Sequence, residues 1–355
     1  MTKSSMLLFI WILLFQMGAC SPSVCYDDVQ SRLKPLRGSW GDVTNQSFAS
    51  QLPFGNYFNL SCPFEWSKYS CVHQGALRRA ELTRNRVFVP DDGCQLLSPS
   101  LDDMYLFGDN SRNRTLHFHG DSLLRQVMTS LGCILNQKQL VNHHFTSVGW
   151  KECPLKFPCH GTKNCVPCGQ HSGYDHADIV LKSGAKLKYL WTGKGLQYGA
   201  LDEIKTGDVL ILESGIHGNT LHTTEKMLRI HKDLIDNREI YVIWLITPQD
   251  AFMTLSGSYS PNNIDWKTHL CRKNSIPVRS RDEWIGLHRH NDTFKHLHGI
   301  IELEQLENQG DCKVGNGVGK DGDCAHYCMP GPTDVLASAL YTQLTRVLRD
   351  VVNDI

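Results

Sequence analysis

The sequence carries no surplus of either charge. Lys plus Arg and Asp plus Glu each number 36 in 355 residues, and no basic block breaks the balance. Such a surface does not steer a polyanion over long range, which excludes nucleic acid and an anionic membrane surface as electrostatic partners and leaves a neutral polymer admissible. Internal repeats and low-complexity linkers are also missing, which excludes a solenoid or a string of tethered modules. Nor does the chain contain the roughly twenty consecutive apolar residues that a membrane-spanning helix needs. Its apolar run at residues 6–15 follows Lys3 and leads to Gly18, Ala19 and Cys20, the layout of a secretory signal peptide over residues 1–20. A short uncleaved signal-anchor is the alternative, and only then is a membrane a partner.

What is abundant points the same way. Fourteen cysteines behind a signal sequence imply disulfides formed in an oxidising compartment. Asn45, Asn59, Asn113 and Asn291 each open an Asn-x-Ser/Thr triplet, the acceptor for N-glycosylation in the secretory lumen. These sites argue against reading residues 17–20 as a bacterial lipobox. Cys153, Cys159, Cys165 and Cys168 cluster near His160 and His171, a set that permits zinc. In an oxidising lumen two local disulfides are the expectation, and no metal is assigned.

The chemistry concentrates at Gly120-Asp121-Ser122. Residues 115–119 alternate like a strand, Gly120 allows a turn, and residues 123–131 follow as a helix. Ser122 then sits at the carboxyl end of a strand and the amino end of a helix. Open α/β sheets bind ligands there, and backbone N–H groups there stabilise an oxyanion. Gly-Asp-Ser is equally a good turn and cap sequence, so the triplet alone decides little. A serine needs an imidazole to take its proton, and the imidazole needs a carboxylate to fix its tautomer. Asp323 and His326 supply both, at a spacing that one turn can present on one side. Cys324 and Cys328 bracket the histidine and, if oxidised, pin its loop. On these residues alone His326 reads as easily as a packed loop histidine between two disulfides.

Taken together, Gly120-Asp121-Ser122-x-x-Arg125 and Asp323-Cys324-x-His326-x-Cys328-x-Pro330-Gly331-x-x-Asp334 resemble the trichome birefringence-like family of polysaccharide O-acetyltransferases, in the PC-esterase branch of the GDSL/SGNH hydrolase-like proteins. Residues 37–40 and 62–71 are similar to its small cysteine-bearing lobe. The resemblance implies an α/β fold, with an SGNH-hydrolase-like parallel sheet flanked by helices over residues 106–355 and a small disulfide-stapled amino-terminal lobe over residues 21–105. It implies Ser122 as nucleophile, with Asp323 and His326 completing a triad. It also implies the pairings Cys25–Cys94, Cys62–Cys133, Cys71–Cys328 and Cys271–Cys324, leaving Cys312 over. No bound cofactor is implied, but an acyl donor such as acetyl-CoA as cosubstrate, a polysaccharide or glycan acceptor, and a Golgi-lumenal or secreted location. The same residues would serve a carbohydrate acetyl esterase, and a glycan-binding protein without catalysis is a third reading.

Strand signals at residues 179–181 and 187–191, a short pair around the Ser183-Gly184 turn, and at 208–213 and 240–246, with helix signals at 223–234 and 333–352, alternate as a doubly wound sheet requires. Residues 249–283 read as loop-rich. The turn at Gly215 ends a strand beside the serine strand, which makes its backbone a candidate for the oxyanion hole. Many relatives carry an Asn-Thr-Gly-His-Trp type sequence there, whereas this chain has Glu213-Ser214-Gly215-Ile216-His217, and an ionised glutamate donates no hydrogen bond. Arg125 is a candidate for orienting a substrate oxygen, with a plain ion pair as the alternative. His117 and His119 read as satisfied core histidines, His143 and His144 as loop residues, and Trp266 and Tyr327 as candidate sugar-stacking aromatics.

Overall fold

The computed structural model describes residues 23–42, 86–91, 93–102, 107–109, 112–147, 176–192, 201–216, 220–250, 271, 278–290, 297–306, 309, 312–313, 323–329 and 331–353. In chain order these form α1 (Val29–Arg32), β1 (Gly38–Asp42), β2 (Arg86–Pro90), β3 (Gly108–Asp109), β4 (Arg112–Asn113), β5 (Thr115–Gly120), α2 (Ser122–Gln137), β6 (Val141–Ser147), β7 (His176–Leu181), β8 (Lys186–Trp191), β9 (Val209–Glu213), α3 (Thr220–Asn237), β10 (Tyr241–Leu245), α4 (Val278–Arg289), β11 (Leu297–Ile301) and α5 (Pro332–Asn353).

Seven strands make one sheet in the order β11-β10-β9-β5-β8-β7-β6. From β11 to β8 all neighbours run parallel, and β8-β7-β6 run antiparallel. The sheet is therefore mixed, where a parallel sheet was expected. The reason is local. Gly184, at φ +87°, turns β7 straight back into β8, and a tight turn can join only antiparallel neighbours. His143 and His144, expected in a loop, lie in β6, and α4 and β11 were not foreseen.

The centre of the sheet is apolar on both faces, as a covered parallel sheet requires. Val209 and Ile211 of β9 enter a core with Leu116, Phe118, α2 and α5. Leu210 and Leu212 enter a second core with Met227 and Leu228 of α3 and Leu287 of α4. The described amino-terminal segments add to the first core, since Cys25, Tyr26 and Phe88 are buried within it. Trp40 Nε1 donates to the Glu304 carbonyl (3.1 Å) and Gln343 Nε2 donates to the Arg32 carbonyl (2.9 Å).

Disulfides join Cys25 to Cys94 and Cys271 to Cys324. Cys133 and Cys328 are disulfide-bonded too, while Cys62 and Cys71 lie outside the described residues, as do Cys153, Cys159, Cys165 and Cys168. Asn113 is exposed, and Asn45, Asn59 and Asn291 fall outside the described residues. No helix among the described residues is long and apolar enough to cross a membrane.

The strand that leads to Ser122 also buries two histidines on its other face. His117 Nε2 meets Asp208 Oδ2 at 3.1 Å, and His119 Nδ1 meets His231 Nε2 at 3.0 Å. His231 Nδ1 donates to the Met227 carbonyl (2.8 Å), so its Nε2 is the acceptor and His119 the donor. Burial lowers both rings, His231 to about 4 from 6.5, and His231 adds its charge to the lowering of His119. A depressed histidine favours the folded state above the unfolded value of 6.5, and that stability is lost as the pH falls through about 4, because the unfolded chain takes up the proton first. We expect wild type to lose about 3 kcal/mol more than His231→Gln between pH 7 and pH 4, at about 1.4 kcal/mol per unit, measured by urea unfolding at each pH.

Candidate active site

β5 ends at Gly120 and α2 begins at Ser122, with Asp121 between them as N-cap in extended conformation (φ −104°, ψ −161°). Asp121 Oδ1 accepts from the Leu123 amide at 2.8 Å, which satisfies one of the donors that a helix start leaves open. Gly120 is required for space rather than for its backbone angle. A Cβ there would stand 2.7 Å from Leu124 Cδ2 and 2.9 Å from Glu213 Oε2.

The second half of the site is a turn built by Asp323. Its Oδ1 accepts from the amides of Ala325 (3.2 Å) and His326 (3.0 Å), and the same carboxylate faces His326 Nδ1 at 2.8–2.9 Å. That contact places the Nδ1 proton toward Asp323 and leaves Nε2 as an acceptor. His326 Nε2 lies 2.5 Å from Ser122 Oγ. The structure thus brings together Ser122, His326 and Asp323, across 204 residues of sequence.

Three contacts hold the histidine turn in register with α2. Gln126, one turn beyond Ser122, donates from Nε2 to the Tyr327 carbonyl (2.8 Å) and accepts from the Tyr327 amide at Oε1 (3.3 Å). Lys313, fully buried, donates to the Ala325 carbonyl (2.6 Å) and lies 3.5 Å from the centre of the Tyr327 ring. The Cys271–Cys324 bond fixes the turn from the other side. Neither Gln126 nor Lys313 was foreseen, because no spacing in the sequence marks a side chain that pairs with backbone two hundred residues away.

Other expected site residues fall differently. The Gly215 amide donates to Thr247 Oγ1 (3.1 Å), and the Ile216 amide donates to Asp121 Oδ2 (2.6 Å). Gly215 itself adopts φ +82°, and a Cβ there would meet Asp121 Oδ2 at 2.9 Å, so glycine is needed twice over. The amides of Asp121 and Leu124 donate to Glu213 Oε2. Around the serine, only the Ser122 amide has no partner among the described residues. Arg125 is buried at 5% exposure with its guanidinium 6.0 Å from the Tyr189 ring centre. It is packed into the interior, and Tyr189 in turn donates to the Asp121 carbonyl (2.8 Å). Tyr327 cannot stack on a sugar, because it is fully buried beneath Lys313. Trp266 lies outside the described residues.

Behind the turn, α4 contributes Glu283. It accepts from the Thr247 amide (2.8 Å) and from the Ser214 hydroxyl. Burial pushes its carboxyl up to about 7. No group of three or more His, Cys, Asp or Glu suited to a metal occurs among the described residues.

The Gln126 contacts yield a direct test. Gln126→Leu leaves the Tyr327 carbonyl and amide without these partners in a buried setting, which costs about 1–3 kcal/mol. Urea unfolding of the two proteins measures it.

Comparison with known proteins agrees in one direction. The chain is 23% identical over 353 residues to "Protein trichome birefringence-like 40" of Arabidopsis thaliana, an alignment that covers 88% of each chain. No protein-family model matches the chain.

Proposed function

We propose that this protein is an O-acetyltransferase that moves an acetyl group onto a hydroxyl of a polysaccharide or glycan through an acyl-serine. One observation carries the reading: the imidazole of His326 lies in hydrogen-bond reach of Ser122 on one nitrogen and of Asp323 on the other. Such an arrangement removes a proton from a hydroxyl at neutral pH, which an isolated serine does not lose. The acyl class and the glycan acceptor rest on the resemblance of the serine and histidine motifs to the trichome birefringence-like family, together with the similarity to the Arabidopsis protein.

The geometry supports the following steps. Ser122 Oγ adds to the acetyl carbonyl of the donor, a thioester such as acetyl-CoA, while its proton passes to His326 Nε2. Collapse breaks the bond to the leaving atom, which takes that proton and departs. A sugar hydroxyl then adds to the acyl-serine as His326 takes its proton, and collapse releases the O-acetylated sugar while His326 returns the proton to Ser122. Asp323 keeps the ring oriented and stabilises the imidazolium formed twice in the cycle. The Ser122 amide, at the positive end of α2, faces the oxyanion. The signal sequence, disulfides and glycosylation triplets support a site of action in the secretory lumen, Golgi or outside the cell.

Incubation of the purified protein with acetyl-CoA and neutral oligosaccharides, with products weighed by mass spectrometry, tests this. Acetyl mass gained by the sugar is the expected result. Loss of acetyl from pre-acetylated glycans without any gain would make the protein an esterase, in which water takes the sugar's place. Ser122→Ala should reduce turnover at least about 10⁴-fold with the fold intact, and Asp323→Asn should reduce it by up to about 10⁴-fold. Turnover that survives Ser122→Ala would assign the wrong nucleophile.

A further inference from the structure

The turn that presents Ser122 rests on a buried acid. Glu213, the last residue of β9, has no exposed surface, yet its Oε2 accepts from the Asp121 amide (3.3 Å) and the Leu124 amide (3.0 Å), one before the serine and one after it. Asp121, 1% exposed, takes the Leu123 and Ile216 amides. Between them the two side chains occupy four amides, and Thr247 occupies that of Gly215. Among the described residues of this turn, the serine's own amide is left. The missing Cβ at Gly120 is what lets Glu213 Oε2 approach the turn.

Burial, and then the charge of Asp121, holds the Glu213 carboxyl well above the usual range, with Glu283 of α4 adding to the same effect. Its Oε1 has no hydrogen-bond partner among the described residues, an arrangement that suits a neutral acid and penalises an anion. In its neutral form it accepts amide protons without adding a second negative charge beside Asp121.

We propose that Glu213 is a positioning residue for Ser122: its carboxyl ties the amides on both sides of the serine to the end of β9, leaving the Ser122 amide open to an oxyanion and keeping the hydroxyl within reach of His326. This rests on the reading of Ser122 as the nucleophile. Its hydrogen bonds are to the Asp121 and Leu124 amides rather than to the Ser122 hydroxyl. A glutamine preserves the accepting oxygen and carries no charge, a leucine preserves neither contact, and an aspartate draws the oxygen back by one methylene.

The test uses the full-length protein with two probes. A fluorophosphonate reports the reactivity of Ser122, mapped by peptide mass spectrometry, and p-nitrophenyl acetate gives kcat and KM. Glu213→Leu should slow labelling and kcat about 10- to 100-fold, the cost of a small displacement of reacting groups, with KM unchanged. Glu213→Gln should recover to within about threefold of wild type. Glu213→Asp is the second arm should the leucine variant fail to fold, and it too should label slowly while unfolding cooperatively in urea. Labelling of Glu213→Leu or Glu213→Asp at the wild-type rate, or a Glu213→Gln variant as impaired as Glu213→Leu, would overturn the positioning role alone. If the wild-type protein is not labelled at Ser122, the nucleophile assignment fails, and this proposal with it.

Discussion

The first turn of α2 and the loop at residues 323–329 must stay in fixed register, and the site exists only because they do. Gln126 supplies that constraint by pairing both ways with the backbone of Tyr327, much as a neighbouring strand would. Its side chain stands one helical turn from Ser122, so the pairing that fixes Tyr327 also fixes His326 opposite the serine. Lys313 and the Cys271–Cys324 bond hold the outer side of the same loop. A hydrogen bond between a serine and a histidine is short-ranged and directional, and a shift of an ångström in either element would remove it.

The polar interior around the site follows a second constraint. Backbone amides at the start of a helix and at the turn after a buried strand need acceptors, and no water is required where side chains provide them. Asp121, Glu213, Thr247 and Glu283 provide them here, in a chain of contacts that runs from α2 through the turn after β9 to α4. Carrying so many carboxyl groups inside raises the proton affinity of two of them, Glu213 and Glu283, through burial. The histidines on the opposite face of β5 respond to the same loss of water with the opposite sign, because their charged form is the protonated one.

Much of this was legible in the chain. The apolar runs that became β9 and β10 read as buried strands, and Gly120-Asp121-Ser122 between a strand and a helix pattern marked the place of the serine. The Asp323 and His326 spacing anticipated a single turn with both side chains on one side. Other positions were read for the wrong reason or not at all. Gly120 is glycine because Glu213 and Leu124 press on it, not because of its dihedral angle. Gly215 looked like an oxyanion donor, yet its amide is taken by Thr247, a residue that nothing nearby in sequence connects to it. Tyr327 looked like a sugar platform, but it lies under Lys313. His143 and His144 sit in an edge strand whose pairing with β7 carries no mark in the sequence around them.

The sequence by itself determined which residues can carry the chemistry, where the buried strands run, and that cysteines are numerous enough to staple the fold, because side-chain type, periodicity and cysteine usage are local properties. Tertiary structure decided which amides near the serine remain available and which carboxyl groups lose their water. Those outcomes depend on distances between segments far apart in the chain, and hydrogen-bond partners and desolvation are fixed only when the segments meet.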